Sequence, residues 1–279
     1  MNIFNTIGRK EIAVALFLFT GFNVYAQQNN EAPKPVAGKT YLKQTIVKSE
    51  STLQNGTASV NISSSSAVTK TYNFEASYGN SLKAKVVTTQ ITDTINSGKD
   101  HFYFSSNKPA DTSGQLSAAL RAVVGAEDIY ILDGQGNVAG IQKSAPVSVV
   151  DSIMSFAGLE REELTVGKKF PLIVDIAKLK DLEPSKRWGD TVSDIRGKTV
   201  GEYWLQSNNK AVTVLAFIKT TNDDKLNTHS TGTYTIDNAS GIVLKREIQH
   251  FTTGYQMFQG KPFISTRRST VTEICSLVD

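Results

Sequence analysis

Hydrophobic and polar positions alternate along most of this chain. From Val68 to Tyr78 the even positions are Val68, Lys70, Tyr72, Phe74, Ala76 and Tyr78, and the odd ones Thr69, Thr71, Asn73, Glu75 and Ser77. One side is aliphatic and aromatic, the other hydroxylic and charged, as in a strand with one face on a core and one in water. The same period recurs at Leu82–Thr88, Phe102–Ser105, Ile129–Leu132, Val212–Lys219, Ile242–His250 and Phe263–Ile274. The stretches "KTYLKQTIVKSE" and "GTASVNISS" read as further strands, rich in Thr, Ser and Val. Asp133-Gly134 in "LDGQGNVAG" is a hairpin signal, and "IDNASGIVL" and "FQGKPF" are equally short connections. Loops of this length exclude parallel crossovers, so the sheet is expected to be mainly antiparallel.

Helical spacing interrupts the alternation in the middle. Leu116, Ala119, Leu120, Val123 and Val124 share one face between Ser113 as N-cap and Gly125 as stop. Val149, Val150, Ile153, Met154 and Ala157 repeat that spacing between Pro146 and Gly158. A third candidate runs from Asp175 to Leu182 and is closed by Pro184. Strands, two or three helices, then strands again predict an α+β fold with the helices packed on one sheet.

The N-terminus sets the expected compartment. Arg9 and Lys10 precede an apolar run from Ile12 to Phe19, and Val24-Tyr25-Ala26 ends in small residues at the positions a signal peptidase reads. Residues 1–26 therefore read as a secretory signal peptide cut after Ala26, with 27–38 as a polar linker and 39–279 as one β-rich domain. The run is too short to cross a bilayer. No cysteine stands near the cut to carry a lipid, so the expectation is a soluble exported protein, periplasmic or extracellular.

Composition removes several classes. Lys and Arg number 30 against 26 acidic residues, and the charges are interspersed, which disfavours nucleic acid as a partner. Cys275 is the one cysteine, so no intramolecular disulfide forms; it reads as a small apolar filler of a final strand. "DGQGNVAG" lacks the glycine spacing of a phosphate loop, and Val138 sits where a calcium loop needs glycine. His101, His229 and His250 have no metal-ligand spacing, and no nucleophile elbow occurs, so no catalytic residue, cofactor or metal is assigned. Asp223-Asp224 in "TTNDDKLNTH" reads as a solvated polar loop, and Trp188 and Trp204 as core or rim aromatics.

One strand departs from the pattern. In "GIVLKREIQH", Ile242, Leu244 and Ile248 share a face with Arg246 and His250. If that face is interior, a guanidinium and an imidazole project into apolar space, where they could hold a carboxylate or phosphate headgroup. The alternative is a sheet end whose face reaches water there.

"GKTYLKQTIVKSESTLQ", the hairpin and helix middle, "SKRWGDTVSD" before "GEYWLQS", and "GTYTIDNASGIVLKREI" together resemble uncharacterised secreted proteins of Bacteroidota. Those share the fold of periplasmic lipid carriers of the LolA and LppX type. The resemblance implies a strongly curved, mainly antiparallel half-barrel wrapping two or three helices around an apolar cavity. Asp93-Thr94-Ile95, Asp151-Ser152-Ile153 and Asp190-Thr191-Val192 also resemble an O-glycosylation motif of that phylum. The expected function is non-enzymatic binding of a lipid-like or other amphiphilic ligand, with Arg246, His250, Tyr72 and Phe74 as candidate ligand-binding residues. The alternative is a structural module that docks another envelope protein through its sheet face or edge.

Overall fold

Alternation on this scale builds one very large sheet. The structure is a computed structural model and describes residues 37–108, 114–143, 164–175, 179, 182–184, 186–193, 197–223, 225–258 and 261–278. In chain order its elements are β1 (Thr40–Asn55), β2 (Ala58–Ala76), β3 (Leu82–Ser97), β4 (Asp100–Ser105), α1 (Gln115–Val123), β5 (Glu127–Leu132), β6 (Val138–Lys143), β7 (Arg187–Ser193), β8 (Gly197–Asn208), β9 (Val212–Asp223), β10 (Leu226–Asp237), β11 (Val243–Phe258) and β12 (Lys261–Val278). The strand order is β6-β5-β3-β2-β1-β12-β11-β10-β9-β8-β7, with β4 sharing one edge of β3 with β5. Every named pairing is antiparallel, as the short loops required. β1 zips onto β12 from Thr40↔Val278 to Gln54↔Ile264, so the first and last strands form the middle of the sheet.

The expected α+β half-barrel around two or three helices is thereby overturned. The described residues are almost entirely antiparallel strand in an open 12-stranded sheet, with one short helix. That helix is the first of the three candidates. Leu120 is fully buried and Ala119 nearly so, while Leu116, Val123 and Val124 pack on Ile91 and Phe104. Its N-cap position is Gly114, with no side-chain cap, and Gly125 ends it at φ +81°. The candidate at 149–157 lies outside the described residues, as does most of 175–182. Three strands, β7, β8 and β10, occupy sequence read as loops or left unassigned, which is the physical source of the error.

Register fixes one core face. Tyr41 opposes Tyr72 and Val47 opposes Ser66, so odd positions of β1 and even positions of β2 point the same way. On β3 a bulge at Thr89 reverses the parity: Ala84 and Val86 point inward before it, Ile91 and Asp93 after it. Without that extra residue, half of β3 would turn its apolar set to water. The β5–β6 hairpin forms at the stretch read as a turn, but the left-handed residue is Gly136 at φ +78°. A side chain there would also meet Ile173 Cγ2 at 2.9 Å.

Candidate functional site

The four sequence-selected residues all lie on the core face, in two groups. Tyr72 (4% exposed) and Phe74 (0%) belong to the largest apolar cluster, with Tyr41, Ala84, Val86, Tyr130 and Leu132. Segment 164–174 lies over these strands and inserts Phe170, whose ring meets Tyr72 and Phe74 edge-on at 6.0 and 6.1 Å. Backbone bonds hold it there: Phe170 donates to the Gly136 carbonyl and Val174 to that of Gly241. A recess lined by Lys70, Tyr72, Val86, Asp128, Tyr130 and Phe170 has a volume of about 30 Å³. That is room for water, not for an acyl chain.

Arg246 and His250 stand on β11, four residues apart on the same face with Ile248 between them. Arg246 faces Glu273 of β12 across the ladder and binds it through Nε at 2.8 Å and Nη2 at 2.9 Å. Lys43 of β1 reaches the same carboxylate at 3.1 Å, and Thr45 donates to it at 3.3 Å. Burial pushes the Glu273 carboxyl up, but Lys43 and Arg246 together outweigh this and hold it below the usual carboxylate range. The Lys43 ammonium also sits 5.7 Å above the Tyr72 ring. Tyr72, Lys43, Glu273 and Arg246 thus form one connected line across β2, β1, β12 and β11. Lys43 and Glu273 were not singled out from the sequence, because they are 230 positions apart and meet only through the β1–β12 pairing.

Two rows further along the strands on the same face, the registers align Asp190, Gly201, Lys219, Ser230, His250, Ser269, Ser49 and Ser64 on eight adjacent strands. His250 Nδ1 lies 2.8 Å from Ser230 Oγ, and Ser49 Oγ 2.8 Å from Ser64 Oγ. Lys219 Nζ lies 5.4 Å from the centre of the Tyr203 ring and 5.6 Å from that of Phe217. Burial pushes its ammonium below the usual value and Arg246 pushes the same way, with Asp190 opposing them. Beneath this row run the rings of Trp188, Tyr203, Phe217 and Tyr234, with centroids 6.0, 6.3 and 5.3 Å apart. Gly232 makes room for Phe217, since a Cβ there would meet the ring at 2.9 Å. Burial, then Asp190, push the Tyr203 phenol above its usual value. From β7 to β2 in sheet order, the buried and half-buried charges on this face are five cations (Lys43, Lys70, Lys219, Arg246, Arg267) and two carboxylates (Asp190, Glu273).

Asp93 stands apart. It is 1% exposed on β3, opposite Ser66 on β2 and Phe104 on β4, and among the described residues neither carboxyl oxygen nor the Ser66 hydroxyl has a side-chain partner. Burial pushes its carboxyl up to about 7, against a backbone bond from Thr94. Cys275 is 6% exposed beside Lys43, and burial pushes its thiol up to about 11. His101 meets Asn96 and His229 meets Thr220, both near the solvent. Asp223 caps the β9–β10 hairpin through the amides of Lys225 and Leu226, so "TTNDDKLNTH" is a two-strand hairpin rather than a polar loop. Among the described residues no group of three or more His, Cys, Asp or Glu side chains could hold a metal ion. No described helix is long and apolar enough to cross a membrane.

No protein-family model matches the chain, and no curated protein matches it. Solved structures similar to it include a lipovitellin determined for its lipid–protein interactions, at 12% identity and a TM-score of 0.49. That likeness covers 87% of this chain but 25% of the lipovitellin chain, so the chain spans about a quarter of it. A DUF1329 family protein from Desulfovibrio piger is similar at 8% identity and a TM-score of 0.16, over 84% of this chain and 83% of its own. A COG4313 outer membrane channel from Pseudomonas putida gives 7% identity and a TM-score of 0.22, over 90% of this chain and 100% of its own. Each of these TM-scores is under 0.5.

Proposed function

We propose that this protein is exported and binds a lipid-like amphiphile against the core face of its sheet, without catalysing a reaction on it. The observation that carries this reading is the segregation of that face. The apolar cluster of Tyr203, Phe217 and Ile248 lies directly beside a cross-strand row of hydroxyls and cations. A face built for packing alone would have little use for that row, because desolvated charge lowers stability unless it is well paired. An amphiphile uses both parts, its chain against apolar side chains and its head against polar ones. Arg246 and His250 then belong to the polar side, whereas Tyr72 and Phe74, covered by Phe170 further along the strands, are not part of that surface.

The test is to purify the protein, extract it with organic solvent and identify the extract by mass spectrometry, alongside titration with a fluorescent fatty acid. Co-purifying lipid or saturable binding is expected; neither would end this reading. A second reading, docking of another envelope protein, is favoured by one observation: β7 ends the sheet path with no strand beyond it among the described residues. Pull-down of one stoichiometric protein that a proline at Thr191 abolishes would support it.

A further inference from the structure

We infer that the row holding Lys219, Ser230 and His250 is an anion site, and that it takes the anionic head of the amphiphile rather than a neutral one. This rests on the amphiphile reading above and narrows it. Lys219 on β9 and His250 on β11 flank Ser230 on β10 in direct register, with Ser269 next in the row. Two inter-strand steps separate the two basic residues by about 10 Å, a span that a carboxylate or phosphate can bridge with Ser230 beneath it. Ser230 is buried, and its hydroxyl fixes the imidazole at 2.8 Å. Lys219 and His250 are half-buried and so within reach of a ligand on this face.

Charge complementarity selects the sign of the ligand. Arg246, four residues from His250, has its carboxylate in Glu273, whereas Lys219 makes no ion pair among the described residues and rests over two aromatic rings. Arg267, two positions beyond Ser269 on the same strand face, adds a further cation. Burial works against the Lys219 charge, and a bound anion would offset that cost. The aromatic and aliphatic row through Phe217 and Ile248 lies directly alongside, so the chain of the same molecule has an apolar surface to follow.

The experiment measures binding of 11-(dansylamino)undecanoic acid and of its methyl ester to the full protein. The acid is expected to bind about tenfold more tightly than the ester. Lys219→Met, which keeps the apolar stem, should abolish that preference, so that acid and ester bind alike. Lys219→Gln serves if the Met variant does not fold, and the acid–ester comparison in the unaltered protein needs no variant. Inorganic phosphate at millimolar concentration should fail to displace the acid, whereas dodecyl phosphate should compete. Equal affinity for acid and ester, or a preference that survives Lys219→Met, overturns the anion site while leaving amphiphile binding intact. Displacement by inorganic phosphate alone overturns the tailed ligand in favour of a free anion. Failure of both acid and ester to bind the unaltered protein sinks the amphiphile reading itself.

Discussion

Replacing Asp93 by Asn should stabilise the protein, and by an amount that grows with pH. The carboxyl is buried on β3, faces Ser66 and Phe104, and has no side-chain partner for either oxygen among the described residues. No charged group contributes to its titration; burial dominates and lifts it from 3.8 to about 7. A carboxyl raised on folding contributes stability that is fully present below 3.8 and is lost as pH climbs through 7. Each pH unit across that interval is worth about 1.4 kcal/mol, so the whole penalty approaches about 4 kcal/mol at pH 8. By pH 5 more than a third of it has already been incurred, leaving between about 2 and 3 kcal/mol to appear between pH 5 and pH 8.

Asn keeps the volume, cannot ionise and brings an amide donor for the Ser66 hydroxyl. Urea unfolding of both proteins at half-unit steps from pH 5 to 8.5 reads the difference directly, with equal m-values as the control for two-state behaviour. The gap in favour of Asp93→Asn should widen with pH and level off above about 8. A gap independent of pH, or a variant less stable than the parent at pH 8, would refute the claim that this carboxyl is buried without a side-chain partner.

Three further outcomes follow from the same face. Phe74→Ala should cost about 3–5 kcal/mol in urea unfolding, because its ring packs on Tyr41 and Phe170, whereas Tyr78→Ala, at a 99% exposed position, should cost almost nothing. Glu273→Gln removes the carboxylate shared by Lys43 and Arg246 and should cost about 3 kcal/mol at neutral pH. Because its folded value is depressed, that cost should shrink only as pH falls below the ordinary 4.5, and a gap already closing at pH 6 would contradict the depression. Cys275, buried with its thiol pushed up to about 11, should react with Ellman's reagent at pH 8 no faster than the protein unfolds, and at once in denaturant.

Where the inward positions are apolar, the strands could be read directly. Tyr72, Phe74, Ala84, Val86, Tyr130 and Leu132 announce β2, β3 and β5 by alternation alone, and the helix face from Leu116 to Val124 was equally plain. β10 was missed because its inward residues are Leu226, Thr228, Ser230, Gly232, Tyr234 and Ile236, whose middle has no apolar signal. Gly232 is there because Phe217 of the neighbouring strand fills its place, a fact belonging to the pair and not to either strand. The bulge at Thr89 was hidden for a similar reason: both halves of β3 alternate correctly, and only their relative phase is shifted. Arg246 could be picked out as a cation on an apolar strand, but its partner depends on β12 lying beside β11 and on Glu273 falling opposite it.

That last dependence bears on what the core face is for. Glu273 takes Arg246 from one side and Lys43 from the other, so a single carboxylate ties three central strands together. Such a cluster roughly breaks even against apolar residues of the same size, and breaking it is costly. It therefore holds β1, β12 and β11 in register rather than adding net stability. Its charges sum to +1, two cations sharing one carboxylate. Lys219 and Arg267 have no share in that balance, since neither is joined to Glu273 in the network. Register is already secured without them, so the cross-strand row they flank is not needed to hold the sheet together. A half-buried ammonium held in no ion pair among the described residues, with two aromatic rings and Asp190 in the same row as its support, still carries a burial cost. An anionic head in the row would offset it, and this is why Lys219, rather than the better-paired Arg246, is the residue on which ligand preference should turn.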